Sequence, residues 1–182
     1  LFRSVRDFES KNGILHLSGP GRIDVDAQLV KLSDLDVSLV DPRLKVEGME
    51  ALKESEAVLI NIDYPLGMAA YHLLSRMGQG VGEVRGIYIM GKAATLNGRV
   101  GDVLVSHTVY DEHSGNTFLF DNALGADDVA AHLRFGSVFD NQSAVTVRSA
   151  FLQNKDYMAS FYRDGYTVLE MEAGPFLGAV HE

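Results

Sequence analysis

Cysteine is absent from this 182-residue chain, which excludes disulfides and every thiolate metal site and fits a cytoplasmic protein. Basic residues are in short supply. There are 16 lysines and arginines against 25 aspartates and glutamates, a formal net charge of −9. No local basic cluster offsets this, so a phosphate backbone is repelled and nucleic acid is not an expected partner. A small phosphorylated ligand is a separate case, because one or two well-placed donors suffice. Long apolar runs are also missing. None approaches the roughly 20 residues of a bilayer-spanning helix, and no signal-peptide pattern opens the chain, so a membrane is not an expected partner. The chain starts at Leu1 and ends at Glu182 within a helical pattern, which reads as part of something longer, incomplete at its C-terminal end.

What is present is the composition of an ordinary globular domain, 46% hydrophobic and 23% charged, with length enough for one real core. After a Gly19-Pro20-Gly21 turn, Ile23, Val25, Ala27 and Leu29 alternate with Asp24, Asp26 and Gln28, the mark of a half-buried strand. Asp36–Val40 reads as a short strand and residues 47–56 as helix-prone. Ala57-Val58-Leu59-Ile60-Asn61-Ile62 is a continuous apolar run, as expected of a parallel strand covered on both faces. Met68–Met77 reads as a helix stopped by Gly78, and Val84–Met90 as a second buried strand. Strands follow at Val100–Val109, Thr117–Phe120, Ala144–Arg148 and Tyr166–Leu169, with helices at 126–134, 153–163 and from 172. This alternation predicts an α/β fold, a mixed, largely parallel central sheet flanked by helices, in a single domain over residues 1–182.

Gly78-Gln79-Gly80-Val81-Gly82 has a spacing like that of a dinucleotide fingerprint. That chemistry needs a strand before the glycines and a helix after them, so that backbone donors meet the pyrophosphate. Here the order is reversed, and the segment reads as a turn. His107 and His113 flank Tyr110-Asp111-Glu112; their spacing fits no closed metal site, so they read as solvated loop residues and no metal is expected. Asp63-Tyr64 suits a ligand or a turn before Pro65 equally well. His16, His72, His132 and His181 carry no signal.

More informative is Ile87-Tyr88-Ile89-Met90-Gly91-Lys92-Ala93-Ala94-Thr95-Leu96, followed by Val100-Gly101-Asp102-Val103-Leu104-Val105-Ser106. A strand runs into a loop of small residues, where backbone can approach a ligand at the carboxyl end of a sheet. On spacing alone, a compact connection between two strands explains it as well. Upstream stands Leu66-Gly67-Met68-Ala69-Ala70 before a helix, and downstream Val168-Leu169-Glu170-Met171-Glu172-Ala173. With these three motifs in this order, residues 57–182 resemble the nucleoside phosphorylase/nucleosidase superfamily, which includes purine nucleoside phosphorylases and methylthioadenosine/S-adenosylhomocysteine nucleosidases. Residues 1–50 do not share the resemblance and read as divergent.

The resemblance implies a phosphorylase/hydrolase-like three-layer fold, a homo-oligomer, and cleavage of the N-glycosidic bond of a purine nucleoside or nucleotide. It implies no cofactor, with phosphate or water as the nucleophile. Such a reaction passes through an oxocarbenium-like sugar, so the site must grip the ribose hydroxyls and leave the anomeric carbon open. The resemblance gives the ribose to Glu172, with Met171 beneath the sugar, Glu170 two positions away, and Phe151 stacked on the base. It gives the nucleophile side to Gly91, Lys92, Ala93, Ala94 and Thr95. Lys92, Thr95 and Arg148 are candidates for phosphate or another anion. Lys92 departs from the family, which has a small hydroxyl residue there; its ammonium either binds a phosphate as a point charge or fills the anion site and abolishes phosphorolysis. The family's general acid lies on the strand after the helix that starts near Ala173, and no residue before Glu182 takes that place. Two functions are therefore expected alternatives: a glycosidic-bond-cleaving enzyme, or a domain that binds a nucleoside-like molecule without turnover. Taken without the resemblance, Glu170 and Glu172 are carboxylates at a helix start, where the dipole favours them.

Overall fold

Sheets and helices both form in the computed structural model of the chain, which describes residues 2–19, 25–80, 82–149 and 154–182. The protein is mixed α/β, and it divides into two compact units, Leu1–Tyr64 and Pro65–Glu182. No described helix is long and apolar enough to cross a membrane.

The first unit holds helix α1 (Phe2–Lys11) and strands β1 (Ile14–Leu17), β2 (Ala27–Lys31) and β3 (Val58–Ile62). The strands form an antiparallel sheet in the order β1-β2-β3, with Leu29 opposite Leu15 on one side and Ile60 on the other. The apolar run around β3 is a strand, but it is neither parallel nor covered on both faces: Val58 and Leu59 are about half exposed, at 51% and 52%. β-branched content fits a residue to a pleated surface without specifying what covers it. Asp36–Val40 is not a strand. The Asp36 and Asp41 carboxylates accept the backbone N–H groups of Ser38 and Arg43 at 2.9 Å each, local bonds that compete with a sheet ladder and wind the chain into 3-10 turns. Residues 20–24 of the alternating segment lie outside the described residues; its described end enters β2 at Ala27.

The second unit contains helix α2 (Met68–Gly78), strands β4 (Ala94–Thr95), β5 (Val103–Asp111) and β6 (Thr117–Leu119), helix α3 (Ala126–Ala130), strand β7 (Val138–Thr146), helix α4 (Lys155–Arg163), strand β8 (Val168–Glu170) and helix α5 (Ala173–His181). The sheet order is β4-β8-β7-β5-β6. β5, β7 and β8 are parallel, whereas β4 and β6 pair antiparallel at the edges. The sheet is thus mixed and parallel only in its middle. The edges are short: β6 returns from β5 through a tight turn, and β4 contributes two residues.

Val84–Met90 forms no strand, and Tyr88 and Met90 are 68% and 89% exposed. An apolar run becomes a strand only where a neighbour takes its N–H and C=O groups. Among the described residues, the β8 edge is occupied by Ala94 and Thr95 alone.

Alternation along the central strands separates two apolar clusters. Val109, Ala144 and Val168 pack with Phe118 and Leu177. Val145, Val147 and Leu169 pack with Phe161 of α4. Each large side chain so buried contributes about 1.5–3 kcal/mol. Helix α5 covers the first cluster and also packs on α2.

Candidate functional site

The register of the parallel strands places three polar residues in one row across their carboxyl ends. Asp111 of β5 is opposite Thr146 of β7, and Thr146 is opposite Glu170 of β8. The α5 backbone arrives directly on this row, and the Gly174 N–H donates to Thr146 Oγ1 at 2.7 Å. A Cβ on Gly174 would stand only 2.6 Å from Asp111 Cβ and 2.7 Å from its Cγ. No side chain fits there; glycine lets the helix touch the strand end.

Asp111 is 3% exposed and organises the turn that leaves β5. Its Oδ1 accepts the His113 backbone N–H at 3.1 Å and lies 2.9 Å from His113 Nδ1. Its Oδ2 accepts the Ser114 N–H at 3.1 Å and the Ser114 hydroxyl at 2.7 Å. Burial pushes this carboxyl up, but the Ser114 and His113 donors together hold it below the ordinary aspartate value. The carboxylate is therefore ionised and can only accept, so Nδ1 of His113 carries the proton. In the neutral ring the acceptor lone pair then lies on Nε2.

Glu170 is spent on the start of α5. One oxygen receives the Thr146 hydroxyl, and the other accepts the N–H groups of Glu172 at 2.7 Å and Ala173 at 2.6 Å. Burial raises this carboxyl above the ordinary glutamate value despite those donors, and the nearby Glu172 charge adds to the rise. Glu112 ties the next turn down, accepting the Arg148 backbone N–H at 3.0 Å and the Tyr157 hydroxyl at 2.5 Å. The bond to Glu112 pushes the Tyr157 hydroxyl up to about 12.

Beside the row opens a cleft of about 680 Å³, walled by Met68, Tyr71, Phe118 and Pro175 and lined on its polar side by Asp111, His113 and Arg148. It lies on the α5 face of the sheet. Of the site residues expected from sequence, Arg148 lines it. Met171 packs on the opposite face, against the cluster of Val145, Val147, Phe161 and Leu169, as does Ala94. Glu172 is half-buried at the N-cap position of α5, two residues before Gly174. The β4–β8 register brings Ala94 opposite Leu169 and Thr95 opposite Val168, so residues 91–93 enter β4 from the end at which β8 becomes the Glu-Met-Glu segment. Gly91, Lys92 and Ala93 are exposed there. The Thr95 hydroxyl accepts the N–H groups of Asn97 and Gly98 at 3.3 and 3.0 Å, serving its own turn. Phe151 lies outside the described residues.

The sequence reading missed the Asp111–His113 pair by treating the segment as solvated loop. The signal was there: Asp followed by His and Ser at positions two and three after a strand is the composition of a turn built on an aspartate side chain. No group of three or more metal-ligating side chains occurs among the described residues. The model of a family of unknown function (DUF6909) matches residues 1–182. No curated protein matches the chain.

Proposed function

The chain therefore belongs to that family of unknown function, and from its site and its motifs we propose that it binds a purine nucleoside or nucleotide at the carboxyl ends of β5, β7 and β8 and cleaves the N-glycosidic bond. One observation carries the reading: three parallel strands end in a polar row beside an open cleft, which is where open α/β sheets take their ligands. Two of the segments that carry the resemblance bear on this end: residues 91–93 enter beside Glu170, and Gly67 faces His113. In this reading Glu172 accepts the ribose hydroxyls, bonds that strengthen as the sugar gains positive charge. Met171, half-buried against the second apolar cluster, steadies the segment. Arg148 meets an anionic group, and exposed Lys92 approaches from the β4 side. The parallel trio β5, β7 and β8 would be the centre of a phosphorylase-like layered fold.

A second reading, binding without turnover, is favoured by one feature. The Glu170 carboxylate is consumed by Thr146 and the start of α5, which leaves one acidic side chain of the Glu-Met-Glu segment for chemistry. A panel of purine nucleosides and nucleotides, assayed for base release with and without phosphate and for binding by calorimetry, separates the two. Turnover is expected, with kcat/KM falling about 100-fold in Glu172→Ala. Binding without release would favour the second reading, and unchanged ligand affinity and turnover in Glu172→Ala would remove Glu172 from the sugar site.

A further inference from the structure

The Asp111–His113 pair has no place in the motif-based assignment, yet it is the most chemically organised element of the cleft. Its carboxylate is buried and receives four donors, and its imidazole is held by Nδ1. His113 lines the cleft, and among the described residues no hydrogen bond to its Nε2 is formed. Facing Nε2 is Gly67, at φ 55° and ψ −129°, a conformation open to glycine and little else. A Cβ there would stand 4.0 Å from Nε2. On that side the nitrogen meets bare backbone and no side chain, and on the other His113 lines the cleft. An oriented imidazole with a carboxylate behind it and a free nitrogen ahead is the arrangement of a general base.

We propose that the nucleophile of this site is water and that His113 Nε2 is the base that activates it, with Asp111 as its positioning residue. The proposal rests on the glycosidic-bond reading above and names the nucleophile that reading leaves open. The water oxygen forms a bond to the anomeric carbon as the bond from that carbon to the base nitrogen breaks. The bonding pair leaves with the base, and the water proton passes to Nε2. His113 then yields this proton to the departed base, directly or through solvent. The products are the free sugar and the neutral base, and the imidazole returns to its starting state. Arg148 on the same wall suits the 5′-phosphate of a nucleotide substrate.

The test is base release from a purine nucleoside and its 5′-monophosphate in phosphate-free buffer, with wild type, His113→Gln and His113→Ala. The expected result is release without phosphate, a fall in kcat of about 100-fold or more in both variants, and nucleoside affinity unchanged by calorimetry. Added imidazole should restore part of the His113→Ala rate, a recovery that a purely structural role would not give. Release that requires phosphate overturns the water assignment and leaves the glycosidic reading standing. Full activity in His113→Gln, or a His113→Ala loss that imidazole cannot restore, overturns the base assignment alone. Failure of the wild type to release base from any member of the panel overturns both.

Discussion

Two carboxylates end the parallel strands on either side of β7, in the same row, and their surroundings treat them in opposite ways. Asp111 receives four hydrogen bonds from the turn that follows it, enough to outweigh its burial and keep it ionised below the usual range. Glu170 receives three from the helix start and from Thr146, yet burial wins and its carboxyl is raised. The difference lies first in burial, which outweighs the donors at Glu170 but not at Asp111, and then in the neighbours. Asp111 has a histidine ring within reach, whereas Glu170 has the like charge of Glu172. A carboxylate is thus the anchor of a turn and a ring at the end of β5 and a cap on a helix start at the end of β8.

Replacing Asp111 should break the comparison most forcibly. Asp111→Asn leaves ring and hydroxyl donors short of an acceptor, and the expected loss is about 3 kcal/mol at neutral pH, read by urea unfolding. Its folded carboxyl lies below the unfolded value of 3.8, so the unfolded chain holds that proton more tightly. Wild-type stability from this group is therefore full above 3.8 and lost as pH falls through the folded value. The gap between wild type and Asp111→Asn should close over that acid window. Gly174→Ala should cost about 2 kcal/mol by forcing a methyl group into Asp111; a neutral effect would mean that α5 does not bear on the turn.

Glu170→Gln should cost least, about 1 kcal/mol, because one amide oxygen can still accept the helix N–H groups. The pH trend has the opposite sign. The folded carboxyl lies above the unfolded 4.5, so its contribution is full below 4.5 and lost as pH rises through the folded value. The wild-type advantage over Glu170→Gln should shrink as pH rises, where that over Asp111→Asn grows. Parallel slopes for the two variants would erase the distinction between anchor and cap.

The middle of the second unit is legible in the sequence because periodicity and burial agree there. Ala144-Val145-Thr146-Val147 and Val168-Leu169 alternate between two faces that are both covered, and Met68–Met77 and 172–181 carry helical patterns that end in helices. The apolar runs at 57–62 and 84–90 announce strand character but not a partner edge; one pairs antiparallel and half exposed, the other finds no ladder. Pairing is decided by distant parts of the chain, and single-strand composition does not encode it. At the site, the Glu-Met-Glu segment stands out as a motif, but which carboxylate is consumed by the helix start depends on Thr146, 24 residues away. The Asp111 turn is local and could have been read. It was hidden by two histidines that suggest metal or solvent before they suggest a held ring.

Gly174 gives the helix and the turn a common mechanical fate. Because bare backbone of α5 rests on Asp111, and Asp111 in turn holds His113, the helix has no slack at that point in which to shift alone. Any tilt or slide of α5 is delivered as a change in the aim of the imidazole. The helix start is a lever, and its short arm ends at the His113 ring on the wall of the cleft.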